Sequence, residues 1–575
     1  MPRPPLVLAA IPTLLCTCVH RPDSGRDANP PDALAPKDAT TPDSSGPDGG
    51  VRDARVEPGD SGALPNADGW WRSAVFYEVF VRSFKDSNGD GIGDLRGIIE
   101  KLDTLNDGNS TTSSDLGVDA LWLMPIHPSP SYHGYDVTDY QAVNPQYGTL
   151  SDFDELIQEA HRRGIRIILD FVLNHSSSEH PWFVDARSSS TAAHRAFYSW
   201  SPVSRAGWQR PWDGAPVWHR TGTGWYYGLF WSGMPDLNLG NPSTEQAMTE
   251  AARFWLARGV DGFRVDAARY LFESADGRLY ARPETHAFIQ RLRRNLSDEY
   301  PAALFVAEAW ADLEEIETYY GQGDEYQLAF QFDLSDAIKA SVHDSVKANL
   351  NQSSAAFVTA FPDQGYGAPF LSNHDQPRVM RQLDGLAPRA RLAAATLFAM
   401  PGTPFLYYGE ELGMQGGPAS RDEDKRTPMR WTSSGPSFGF SSASRTWYEV
   451  STSTTSREAT GVTFETQRSD PTSLWTLYRD LVALRHRTPA LSGRLDLPTV
   501  TNAQRGIYAA LRTFGDQRVL FVANLHFQPA TAFSIDVPGA PNVLLEEGLD
   551  AAPTRADQLE FTGLAPQSFA FIELR

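Results

Sequence analysis

Asp266 stands two residues after Arg264 in GFRVDAARY, residues 262–270, at the end of a run that begins like a buried strand. A guanidinium beside a carboxylate lowers its pKa and keeps it ionised, which suits a nucleophile. Glu308 is framed by Ala307, Ala309 and Trp310, an apolar setting in which a carboxyl keeps a proton to donate. A lone Arg–Asp pair is more often a structural ion pair. Here Asn174 with His175, Glu308, and His374 with Asp375 also stand where apolar runs end, and that clustering favours chemistry over a single structural pair.

Eight apolar runs position these groups: AVFYEVFVRSF, VDALWLMPI, IRIILDFVLN, VDGFRVDAA, ALFVAEAW, YQLAFQFD, APFLSNHD and TPFLYYGEE. They alternate with amphipathic helical segments such as DFDELIQEAHRRG, the pattern of a (β/α)8 TIM barrel. Catalytic groups of such a barrel sit where strands end and loops begin, so the charges would lie at the barrel mouth. The catalytic barrel is expected over 69–174 and 241–488. Residues 175–240 are too long for an ordinary loop and rich in Trp, Tyr and His, which predicts a small inserted domain overhanging the mouth. The runs RGIYAALRTF, RVLFVANLH and AFSIDV, parted by Gly, Pro and Asn, predict a C-terminal antiparallel β-sandwich over 489–575.

The first 20 residues read as a secretory signal, with Arg3 before an apolar run too short to span a bilayer. Cys16 and Cys18 close that run, which resembles a bacterial lipoprotein signal with Cys18 the lipidated residue. Residues 21–68 are Pro, Asp, Gly, Ser and Ala with almost no large apolar side chain, as expected of a disordered tether. The chain is thus expected to be secreted, periplasmic or at the cell surface. A formal charge of −21 argues against nucleic acid or an anionic membrane as the main partner.

DSNGDGIGD, residues 86–94, has oxygen ligands at alternate positions and Gly91 at the bend. Asp86, Asn88, Asp90, the Ile92 carbonyl and Asp94 could surround one Ca2+. Position twelve is Gly97 and not a bidentate Glu, which separates the loop from an EF-hand. A solvated Asx-turn loop is the plain alternative.

DFVLNH at 170–175, MPDLNLGNP at 234–242, GFRVDAARY, VAEAW at 306–310 and FLSNHD at 370–375 occur in that order. From about Trp70 onward the chain resembles the α-amylase family, glycoside hydrolase family thirteen. MPDLN resembles the subgroup between oligo-1,6-glucosidases and neopullulanases. The resemblance implies that Asp266 is the nucleophile, Glu308 the acid/base, and Asp375 a carboxylate that binds and distorts the sugar. Retaining cleavage needs two such carboxyl groups about 5 Å apart. By the same resemblance His175 and His374 bind hydroxyls of that sugar, Tyr135 stacks under it, Asp136 accepts from it, and Arg264 serves the nucleophile. Similar loops bind calcium in oligoglucosidase-like members, and a second family calcium would use Asn174.

The implied activity is hydrolysis of α-1,4 bonds in starch or maltooligosaccharides by a monomer. Two departures bear on it. Where many amylases have Lys-His, this chain has Arg269 and Tyr270, and Ala267 stands where 1,6-specific relatives carry valine, which tilts the expectation to α-1,4 bonds. RTPMRW at 426–431 also occurs in α-glucosidases and trehalose synthases, so exo action, oligo-1,6-glucosidase activity and transfer stay open. A non-catalytic sugar-binding relative would be expected to lack one of the three carboxylates, and all three are present.

Overall fold

A computed structural model describes residues 69–274, 277–361, 367–418, 421–449, 461–502, 506–555 and 558–575. The signal, the tether, Cys16 and Cys18 lie outside the described residues. Among the described residues no helix is long and apolar enough to cross a membrane.

The eight apolar runs form eight parallel strands: β1 (Phe76–Val79), β2 (Ala120–Leu123), β3 (Arg166–Phe171), β4 (Gly262–Val265), β5 (Leu304–Ala307), β6 (Leu328–Phe330), β7 (Gly367–Ala368) and β8 (Phe405–Tyr407). Each pairs with its sequence neighbours among the eight, β1 with β8 through Phe76 and Phe405, and a single bridge from Phe370 to Phe405 joins the last two. A barrel of this size is filled by its own side chains. Phe76, Trp122, Ile168, Val306, Phe330 and Phe405 belong to that filling. β4 starts at Gly262 because a Cβ there would meet the Leu304 carbonyl oxygen at 2.2 Å.

The helices lie outside the strands, most with one buried face, while Ala387–Ala399 is buried on nearly all sides from Leu392 onward. Leu150–Arg162 turns Phe153, Leu156, Ile157 and Ala160 inward, and Thr149 and Asp152 cap its start reciprocally. Pro242–Leu256 begins on Asn241, whose side chain accepts from Ser243 and Thr244, and ends in Gly259 and the turn into β4. Each such helix returns the chain to the bottom of the barrel, so every strand runs upward and ends at the same face.

Between β3 and β4 the chain builds a three-stranded antiparallel sheet, Trp200–Ser201 with Gly224–Tyr227 with Trp218–Thr221. Bridges from His175 to Asp236 and from Tyr198 to Leu237 zip its base. After the helix Leu474–Arg487 the chain forms two antiparallel sheets of five and four strands. Ile507, Leu520, Val522, Phe533, Phe561 and Ile572 fill the space between them. Arg512, fully buried, reaches from the sandwich to the carbonyls of Ala399 and Met400 at the end of a barrel helix.

Candidate active site

Arg264 leaves β4 with its side chain 1% exposed and collects three carboxylates. Nη1 donates to Asp170 Oδ1 and to Asp266 Oδ1, each at 2.7 Å, and Nη2 lies 2.7 Å from Glu308 Oε2. The three acids come from the ends of β3, β4 and β5, neighbours in the barrel, so strand order alone brings them together. Ala267, in the left-handed region at φ 49°, turns the chain sharply after Asp266 and aims its N–H at Glu308 Oε2, 2.9 Å away. Trp310 Nε1 donates to the other Glu308 oxygen at 3.0 Å.

The charge balance differs from the sequence expectation. Arg264 does pull Asp266 down, but burial outweighs it, and Glu308 and Asp170 add to the rise, so the Asp266 carboxyl sits well above the ordinary range. Burial raises Asp170 as well, against Arg264. One guanidinium facing three buried carboxyls does not offset the burial of Asp266 and Asp170. Sequence displays the arginine two residues away and not the acids that converge from other strands.

The second half of the site hangs on His374. Its Nδ1 faces Glu78 Oε1 at 2.5 Å, and its Nε2 faces the Tyr135 hydroxyl at 2.6 Å and Asp375 Oδ2 at 3.2 Å. Burial alone would lower this imidazole, but Asp375 and Glu78 outweigh it and hold it at about 10. It is therefore a cation at neutral pH. Asp375 is fixed from the other side by Arg426 Nη2 at 3.0 Å. Burial opposes its charged form, but His374 and Arg426 prevail, so Asp375 stays well below the usual carboxylate range.

Tyr135 joins the two halves. Its hydroxyl donates to Asp170 Oδ2 at 3.0 Å, and its ring stacks on His374 with centroids 5.5 Å apart. His175 packs on Phe230, and burial lowers it to about 3, which leaves a neutral imidazole. Its Nε2 is buried without a protein hydrogen bond, a free valence suited to a ligand hydroxyl. Asp136 turns into its own loop, where Oδ1 takes the hydroxyls of Ser129 and Ser131. Asn174 gives Nδ2 to Asp236 at 3.0 Å and leaves Oδ1 buried with no protein hydrogen bond. Arg264, Asp266, Glu308, His374, Asp375 and Tyr135 thus form one connected cluster. Glu78, Asp170 and Arg426 belong to it and were not assigned from sequence. Glu78 left a usable signal, a single acid inside an apolar run. Arg426 left only a motif without a role.

The 86–94 loop lies elsewhere, against residues 441–447. Asp86 accepts the N–H groups of Asn88, Gly89 and Gly91 at 3.0, 2.7 and 2.8 Å, Asn88 that of Asp90, and Asp90 that of Ile92. Asp94 caps the helix Leu95–Ile99 through Gly97 N–H at 2.7 Å. Gly91, at φ 92°, lets the loop pass the Arg445 carbonyl, which a Cβ would meet at 2.3 Å. Among the described residues no three His, Cys, Asp or Glu side chains converge as metal ligands. The fit to calcium rests on oxygens at alternate positions: Asn88, Asp90 and Asp94 keep lone pairs beyond their turn hydrogen bonds, whereas each Asp86 oxygen already accepts two, from Asn88 and Gly89 and from Gly91 and Ser441.

The barrel, its insert and the acid cluster match known proteins as one unit. Residues 78–493 match the alpha amylase catalytic domain. The chain is 38% identical over 466 residues to Alpha-amylase 3 of Dictyoglomus thermophilum, covering 80% of this chain and 85% of that protein. It is 36% identical over 487 residues to the trehalose synthase/amylase TreS of Mycobacterium tuberculosis, covering 76% and 78%. The crystal structure of alpha-amylase from H. orenii superposes with a TM-score of 0.78 at 35% identity, covering 87% of this chain and 99% of that one. With these matches spanning the strands that carry Arg264, Asp266, Glu308 and Asp375, the chain belongs to the alpha-amylase family of glycoside hydrolases.

Proposed function

We propose that this enzyme cleaves α-1,4-glucosidic bonds of maltooligosaccharides with retention of configuration. The observation that carries this reading is the single Arg264 fork that holds both Asp266 and Glu308. Two carboxyls on neighbouring nitrogens of one guanidinium suit the close spacing of a retaining pair better than the wider gap that admits a water. Glu308 gives its proton to the glycosidic oxygen as Asp266 attacks C1 and the C1–O bond breaks. Water then attacks C1 of the glycosyl-enzyme, returns a proton to Glu308 and frees Asp266. Asp375, held ionised by His374 and Arg426, binds hydroxyls of the sugar and favours its distorted ring. The neutral His175 offers its free Nε2 to a hydroxyl, and Tyr135 supports the ring from below.

The preference for α-1,4 bonds rests on Ala267. It is a small residue directly after the nucleophile, in one buried apolar cluster with Trp218, Tyr227, Leu229 and Tyr270. Transfer to a sugar acceptor is the second reading, favoured by the similarity to a trehalose synthase. The test is a time course on maltoheptaose with product lengths and anomers followed by NMR, together with maltotriose against isomaltotriose. Early mixed α-anomeric products and faster maltotriose turnover are expected. Inverted products, or faster isomaltotriose turnover, would overturn the reading, and longer products would move it to transfer. Calcium at residues 86–94 and export with a lipid anchor at Cys18 belong to the same proposal and rest on the sequence patterns described above.

A further inference from the structure

Arg269 lies on the short turn Ala268–Tyr270 that carries the chain away from Asp266. Its guanidinium does not point outward. Nε and Nη2 hold both oxygens of Glu315 at 2.9 and 2.6 Å, and Nη1 donates to the Trp310 carbonyl. Tyr280 lies over its face, 4.5 Å from ring centroid to guanidinium carbon. Glu315 belongs to the helix Leu313–Thr318 and Trp310 to the loop before it, so one side chain ties the loop after β4 to the loop after β5. Trp310 is gripped from three directions. Arg269 takes its carbonyl, Phe332 stacks on its ring at 3.9 Å, and its indole N–H donates to Glu308 Oε1.

We propose that Arg269 is a positioning residue for proton transfer: it fixes Trp310, and through the indole N–H fixes Glu308, relative to Asp266. The proposal rests on reading Glu308 as the proton donor. A planar fork bonds a carboxylate with two nitrogens while the third reaches a carbonyl, and a lysine ammonium cannot hold that geometry. General acid catalysis demands the donor within hydrogen-bond reach of the leaving oxygen, so a loosened Trp310 would slow substrates that need the proton and spare those that do not. A direct sugar contact by Arg269 would behave otherwise, raising KM as the leaving group grows.

The experiment compares Arg269→Lys, Glu315→Gln and Glu308→Gln on maltotriose, whose leaving group needs a proton, and on α-glucosyl fluoride, whose leaving group does not. Arg269→Lys and Glu315→Gln should each lower kcat/KM on maltotriose about tenfold without raising KM, and leave kcat/KM on the fluoride nearly unchanged, because that ratio reports the step in which the leaving group departs and not the later step in which Glu308 takes the proton of water; a tenfold loss is the size expected when a catalytic group drifts from its geometry. Glu308→Gln should give the same selectivity with a larger loss. If Glu308→Gln discriminates while the other two lose equally on both substrates, or only raise KM for maltotriose, the positioning role is wrong and the donor assignment stands. Equal losses in Glu308→Gln would overturn both. Glu315→Gln carries the test alone should Arg269→Lys fail to fold, because it breaks the same clamp from the opposite side.

Discussion

Asp266 is held in a place that costs stability and serves chemistry. Its raised carboxyl contributes stability below its ordinary pKa and loses it as pH rises through the shifted value, so the ionised form that attacks is the one the fold disfavours. Asp266→Asn should therefore reduce kcat/KM by a factor on the order of 10^4 or more, as removal of a nucleophile does, while the melting temperature at pH 7 stays at or above that of the wild type. A calorimetric scan alongside the assay decides it. An inactive variant with a clearly lower melting temperature would mean that Asp266 is a structural partner of Arg264. Asp266, Glu308 and Asp375 were legible because each ends an apolar run. Their charge balance was not, because the third acid on Arg264, Asp170, sits 94 residues away in a motif noticed only for its histidine end. Arg426, 51 residues beyond Asp375, was equally hidden.

Elements were legible in proportion to their length and burial. The eight barrel runs are apolar on both faces, as parallel strands must be, and all eight became strands. The sandwich was read from three runs, whereas Pro541–Leu549, half exposed with two glutamates, and the two-residue Val500–Thr501 carried no clear alternation. The 86–94 loop shows the same limit, since spacing gives its oxygens but not whether turns or a cation satisfy them. Asp90, on its exposed rim, accepts the Ile92 N–H with one side-chain oxygen. If calcium binds there, Asp90→Ala should remove most of the rise in melting temperature that millimolar calcium gives the wild type, because a ligand of the folded state alone stabilises by mass action. Scanning both proteins in chelator and in calcium reads this directly. A wild-type melting temperature that ignores chelator would leave the loop as a set of Asx turns.

At the scale of the whole molecule, buried titratable groups pull stability in opposite directions with pH. Burial lowers His127 and His180 to about 4 and His175 to about 3, so they stabilise the fold above about pH 6.5 and lose that contribution as pH falls through the lower values. Glu410 and Glu411 act the other way. They follow β8 and join it to its neighbours, Glu411 accepting from Tyr77 on β1 at 2.9 Å and Glu410 from Tyr478 at 2.8 Å and Ser372 at 3.1 Å. Burial raises Glu411 to about 7 and Glu410 to about 8, so their contribution is complete below about 4.5 and lost as pH rises through 7 to 8. Arg378 faces the pair and does not reverse the shift. The barrel seam should therefore loosen on the alkaline side, where His374 also loses its proton near 10. Glu411→Gln isolates this effect, because an amide keeps the shape and the Tyr77 contact but takes no charge. The melting-temperature difference between variant and wild type should grow in the variant's favour from pH 5 to about 7.5 and then level off. A difference that stays constant across that range would mean that Glu411 does not titrate in the fold, and that the alkaline limb arises from His374 and Glu410 alone.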